Sequence, residues 1–193
     1  SSGSITVVNT VYDFRNQKAD PKAKWPLGHS DESYRNIDLL IVDYEEALRL
    51  SGRKKLDEAM HFFREAGTGA VVVTNGSKNI LLFSSGTGIF EKCDETEMPV
   101  STAVSDELRK GWSGDTTGCG DNFAGGMIYA VVSQLSEKRV LLNLKEACIW
   151  GVVSGGFACF YMGGTFFETY PGEKFQQITP LYQQYRKQIG DEK

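Results

Sequence analysis

The chain has 193 residues, 40% hydrophobic and 24% charged, with a formal net charge of −4. That length can bury a sizeable core, and that composition excludes a disordered or collagen-like chain. Lysines and arginines are scattered rather than clustered, which argues against nucleic acid or an anionic membrane as partner.

In chain order, the β-branched run Ile5–Tyr12 predicts a first strand. Pro21, Pro26 and Gly28 then mark a long irregular connection. The unbroken apolar run Ile37–Val42 predicts a strand buried on both faces of a parallel sheet. Asp43 is placed to cap a short helix that Gly52 ends, and Leu56, Ala59, Met60 and Phe63 put an apolar stripe on a second helix ending at Gly67. Strands follow at 70–74 and 79–83, joined through the turn Asn75-Gly76-Ser77-Lys78. Between Ser84 and Gly114 few regular patterns stand out. A helix runs from Asn122 to about Ser136, and another carries Leu144, Ala147, Cys148, Gly151 and Gly155 on one stripe. Thr179 and Pro180 read as the N-cap and first residue of the terminal helix.

The stretch Ala147–Phe167 is uncharged for 21 residues, the length of a membrane span. Its five glycines and lack of leucine mark it instead as a buried core helix and a turn, with small residues that admit a close neighbour. Strands alternating with helices predict a layered α/β domain with a mainly parallel sheet. Cys93, Cys119, Cys148 and Cys159 lack CxxC spacing and read as free thiols of a reducing intracellular compartment such as the cytoplasm. With His29 and His61 as the only histidines, a multi-histidine zinc site is disfavoured. Ser1–Ser4 reads as a cloning remnant.

Residues 114–126, GDTTGCGDNFAGG, bring five glycines and two carboxylates directly against an apolar helix. The first N–H groups of a helix have no partners within it, and with the helix dipole they form a site for an anion. Gly118 and Gly120 clear side chains away, so a phosphate oxygen can approach the N–H groups of 118–120. Asp121 would repel that phosphate unless it has another task. A carboxylate there makes sense as the acceptor of a proton from an attacking hydroxyl, while the N–H groups stabilise the transferring group. The pattern therefore suits phosphoryl transfer from a nucleotide to an alcohol, although an ordinary capped helix after a glycine turn has the same residues. The loop is neither GxxxxGK[ST] nor GxGxxG, since Phe123 holds the last glycine position of the latter.

The stretch DTTGCGDNFAGGMI closely resembles the C-terminal motif of the PfkB (ribokinase-like) carbohydrate kinases. The resemblance implies that Asp121 is the catalytic base and that Gly118, Cys119 and Gly120 form the anion hole, with Cys119 in place of the usual alanine. DLLIVDYEEALRLSG resembles the family's strand–helix unit with an N-x-x-E element, which organises magnesium and phosphate-bound water. Glu46 matches the glutamate and Asp43 stands where asparagine is usual; by themselves the two read equally as a helix cap and a first-turn acid. VVVTNGSKN resembles the nucleotide-contacting T-x-G-x-x-G turn. Thr74 and Gly76 match, and Asn79 replaces the last glycine, where its tolerance of positive φ would keep the turn. Asp115 and Thr117 stand where some relatives bind a monovalent cation, K+ being the candidate, although a carboxylate fixing the turn explains Asp115 as well.

The resemblance covers nearly the whole chain. It implies a ribokinase-like α/β/α fold present as its C-terminal, nucleotide-binding portion over residues 1–193, without the N-terminal half that contacts sugar. The implied function is ATP-dependent phosphorylation of a sugar or related small alcohol, with ATP and Mg2+ as cofactors and homodimerisation left open. Two other readings stand beside it. The departures at Asp43 and Asn79 suit a non-catalytic relative that binds nucleotide or a partner. A thiol enzyme would use Cys119, its pKa lowered at a helix N-terminus.

Overall fold

Five strands pair side by side in sequence order: β1 (Val7–Asn9), β2 (Leu39–Asp43), β3 (Ala70–Thr74), β4 (Asn79–Ser84) and β5 (Cys93–Pro99). They belong to a computed structural model that describes residues 3–112 and 114–191, so Ser1 and Ser2 of the suspected cloning remnant lie outside the described residues. β1–β2 and β2–β3 are parallel, whereas β3–β4 is an antiparallel hairpin. The result is an open, mixed sheet of an α/β fold. The chain divides into two compact units, Ser1–Met98 and Pro99–Lys193.

In the first unit, Leu40, Val42, Val71, Val73 and Phe83 share one core with Ala47 and Leu50 of α2 (Tyr44–Ser51) and Ala59, Met60 and Phe63 of α3 (Leu56–Glu65). The alternate residues Leu39, Ile41, Ala70 and Val72 are buried too, as the unbroken apolar runs predict for strands covered on both faces. Gly52 ends α2 in the left-handed conformation at φ 68°, a position glycine occupies without steric cost. The first strand is shorter than Ile5–Tyr12. Its pairing with β2 ends at Asn9, and Asp13 then accepts from the Asn16 N–H at 2.8 Å, capping α1 (Phe14–Ala19). Neither α1 nor most of the 3-10 turn Asp31–Asn36 buries side chains, Tyr34 excepted. The region predicted irregular therefore holds short helices with no apolar stripe to announce them.

The second unit is helical: α4 (Thr102–Arg109), α5 (Cys119–Ser136), α6 (Leu144–Ala158) and α7 (Glu173–Gln188). α5 and α6 pack through glycines. A Cβ at Gly151 would meet Met127 Cγ at 2.8 Å, and one at Gly155 would meet the Cys119 carbonyl at 2.9 Å. Gly126 faces the Trp150 carbonyl across the same seam with no room for a methyl group. α6 is buried along nearly all its length, and no helix among the described residues is long and apolar enough to cross a membrane.

The terminal helix corrects one expectation. Thr179 and Pro180 do not open it, since α7 starts at Glu173 and carries Pro180 in its interior. The stripe Ile178, Leu181 and Tyr185 is buried across the proline, and Thr179 Oγ1 donates back to the Phe175 carbonyl at 2.7 Å. Packing of that stripe outweighs the lost N–H. β5 and α4 fill the stretch that seemed patternless; Met98 and Val104 are their only fully buried residues.

Candidate active site

The glycine turn is built by backbone conformation first. Gly118 takes φ 72° at the N-cap of α5, which starts at Cys119, three residues before the predicted Asn122. Its carbonyl accepts from the Asn122 N–H at 2.9 Å. A Cβ on Gly120 would meet nothing within 4 Å, so the space outside the first helical turn is open. The 18 residues of α5 align their dipole with its positive end there.

Side chains then lock the turn. Asp115 accepts from the Thr117 N–H at 2.9 Å and from the Gly163 N–H at 3.2 Å. These donors, Thr117 first, hold its carboxyl below the usual aspartate range. Asn122 Nδ2 donates to the Gly118 and Gly164 carbonyls, each at 2.9 Å, and Asn122 Oδ1 accepts from Lys174 Nζ at 2.6 Å. Burial pushes the Lys174 ammonium below the ordinary lysine range. Gly164, at φ 66°, lies flat against the Thr117 carbonyl and Gly118 Cα. Gly163 and Gly164 thus form the floor on which the turn rests.

Asp121 stands in the first turn of α5 and is solvent-exposed. With Asn122, Tyr129, Trp150, Ser154 and Lys174 it lines a cavity of about 650 Å3. The structure therefore gathers Asp115, Thr117, Gly118, Cys119, Gly120 and Asp121 into one turn. Asn122, Lys174, Gly163 and Gly164 were not singled out from sequence. Asn122 lay inside the quoted motif, whereas Lys174, 52 residues further on, carries no local signal.

Cys119 overturns the expectation of a lowered thiol pKa. Its Sγ lies 3.1 Å from Cys159 Sγ, and this hydrogen bond, with burial, pushes the Cys119 thiol up. The same contact pushes the Cys159 thiol down to about 7. The backbone N–H of Cys119 reaches the Thr116 carbonyl at 3.3 Å, a long bond that leaves it weakly held.

In the first unit, Asp43 and Glu46 form a capping box: Asp43 Oδ1 accepts from the Glu46 N–H at 2.8 Å, and Glu46 Oε2 accepts from the Asp43 N–H at 3.0 Å. Thr10 Oγ1 donates to the same Oε2 at 2.6 Å. Glu46 is buried, and desolvation raises its pKa. Thr74 ends β3, and Gly76 supplies the positive φ, 55°, of the hairpin that follows. Asn79 is not the positive-φ residue expected: it opens β4, its carbonyl accepting from the Asn75 N–H at 3.0 Å. The antiparallel pairing demands extended backbone there.

The glycine turn opening a long helix, with open space outside its first turn, has a geometry that can receive an anion. A family model of the pfkB family carbohydrate kinases matches residues 8–169, and the chain belongs to that family. Among solved structures it is similar to the ribokinase of Thermotoga maritima, at 22% identity and a TM-score of 0.54 over 81% of this chain and 46% of that one. Aminoimidazole riboside kinase from Salmonella enterica, complexed with aminoimidazole riboside and an ATP analogue, matches at 19% identity and TM-score 0.54, over 82% and 48% of the two chains. An E. coli protein assigned as ribokinase II, in complex with ATP and Mg2+, matches at 19% identity and TM-score 0.53, over 79% and 41%. These likenesses establish the ribokinase-like fold, and the chain spans less than half the length of each.

Proposed function

We propose that this chain is the nucleotide-binding portion of an ATP-dependent kinase that phosphorylates a hydroxyl of a sugar or related small alcohol. The observation that carries the reading is the exposed Asp121 in the first turn of α5, beside the open space at Gly120 and three residues after the left-handed Gly118. Asp121 takes the proton of the attacking hydroxyl, which raises the nucleophilicity of its oxygen. The N–H groups of Gly118, Cys119 and Gly120 stabilise the charge on the transferring phosphoryl group. The Cys119 N–H leaves only a long bond to Thr116 when it turns to the phosphate. Thr74 and Gly76 contact the nucleotide at the β3–β4 turn.

Mg2+ in this reading is held chiefly by nucleotide phosphates and water. Among the described residues no three His, Cys, Asp or Glu side chains converge as a metal cage, and magnesium typically retains several waters beside one or two carboxylates. Glu46 and Asp43 act on it through water, within the limits set by their capping box. Asp115 and Thr117 are the candidate K+ ligands; loss of activity when K+ is replaced by a larger organic cation tests that role. The free thiols suit a reducing compartment such as the cytoplasm.

Asp121→Asn tests the central role. Asparagine caps and fills space much as aspartate does, but accepts no proton. In a form of the protein competent for sugar phosphorylation, kcat falls by about 10²–10⁴-fold while ATP affinity is kept. Full activity in the variant removes Asp121 from the mechanism. A non-catalytic nucleotide-binding relative is the second reading, favoured by the capping box that occupies Asp43 and Glu46; nucleotide binding without transfer to a sugar, in every form of the protein assayed, would establish it.

A further inference from the structure

Cys119 and Cys159 face each other at opposite helix ends, the first at the start of α5 and the second at the C-cap of α6. Their sulfurs are 3.1 Å apart, and both residues are half-buried rather than sealed in the core. The approach is fixed by the backbone, because Gly155 admits the Cys119 carbonyl at a distance where any side chain would collide. The two sulfurs need to close by only about 1 Å to reach the bond length of a disulfide, about 2.05 Å. Neither sulfur has a part in the proposed phosphoryl transfer, to which Cys119 contributes its N–H alone.

We infer that Cys119 and Cys159 are a reversible oxidation site, joined into an intrachain disulfide by peroxides. One thiolate attacks the O–O bond of hydrogen peroxide, forming a sulfenic acid and releasing hydroxide. The second thiol attacks the sulfenic sulfur, the S–O bond breaks, and water leaves. Two thiols and one peroxide thus become one disulfide and two waters, and a dithiol reductant reverses the change. The bridge ties the glycine turn to α6. Any effect on nucleotide binding rests on the kinase reading, but the chemistry of the bridge does not.

The test exposes the folded full chain to hydrogen peroxide, alkylates the remaining thiols and maps the peptides by mass spectrometry. The expected product is a peptide joining Cys119 to Cys159, in monomeric protein and lost on treatment with dithiothreitol. Their alkylatable thiols disappear at least about tenfold faster than that of the core residue Cys148, since oxidation follows accessibility. In Cys119→Ser the linked peptide is absent and Cys159 is trapped as a sulfenic acid by dimedone. The inference is overturned if both cysteines remain alkylatable when Cys148 is consumed. It is equally overturned if either is found linked to Cys93 or Cys148, or if both go to sulfinic acids without a bridge. Because the readout is a covalent link, its failure is distinct from a failure of the kinase reading.

Discussion

Gly120 and Gly164 both border the α5 turn, yet a methyl group has different consequences at each. At Gly164 the backbone is left-handed, φ 66°, and a Cβ would run into the Thr117 carbonyl. Gly164→Ala should cost at least about 1–2 kcal/mol in urea denaturation, the penalty of the left-handed region alone. At Gly120 a Cβ meets nothing, so Gly120→Ala should leave stability equal or raised by up to about 1 kcal/mol. If the turn receives phosphate, the same variant weakens ADP binding by calorimetry; unchanged affinity would mean that phosphate does not bind there. Glu46 carries a pH signature. Its pKa is raised by burial, so the folded state retains a proton that the unfolded state gives up. Stability is lost as pH rises through the window between the ordinary glutamate value and the raised one. Both of its hydrogen bonds fall on Oε2, and the carbonyl oxygen of glutamine can accept both. Denaturation at several pH values should therefore show Glu46→Gln gaining on the wild type as pH rises through that window, and a parallel pair of curves would refute the assignment.

Helices show which patterns are legible in a chain and which are not. α2, α3 and α6 announce themselves through caps or buried residues, and the structure has them where the spacing predicts. α1 buries no residue and α4 only Val104, so the apolar period on which recognition depends is missing from both. α7 was misread because a local signal, threonine before proline, competed with a buried stripe that runs across it. α5 and α6 approach closely through their glycines. Gly126→Val should destabilise the protein by about 1–3 kcal/mol, as overpacking does, because the colliding Trp150 carbonyl belongs to the backbone and cannot rotate aside. Asp43→Ala should cost about 1 kcal/mol through loss of the α2 cap. Both are read from the midpoint of urea unfolding, and a Gly126→Val protein as stable as the wild type would contradict the close packing.

For the whole molecule, the proposed half-kinase makes a paired prediction. Folded chain at millimolar ADP with Mg2+ should give binding heat in calorimetry, while sugar phosphorylation by the 193-residue chain is absent. The chain spans less than half the length of these kinases, and among the described residues no group is identified that orients a sugar hydroxyl. Turnover of a sugar by this chain alone would overturn that division of labour.

The sequence by itself determined the α/β class, the strands predicted at 37–42 and 70–74, the glycine turn, and the family, because each is written in contiguous residues: an apolar run, a capping pair, a motif. It also marked Gly151 and Gly155 as places of close approach. Only the tertiary structure decided what that motif rests on. Gly163, Gly164 and Lys174 reach the turn from more than forty residues away, and Cys159 meets Cys119 across a separation of 40 residues. Such contacts arise when α6 folds back along α5. No local period or turn chemistry encodes them, since they are properties of the packed chain rather than of any segment in it.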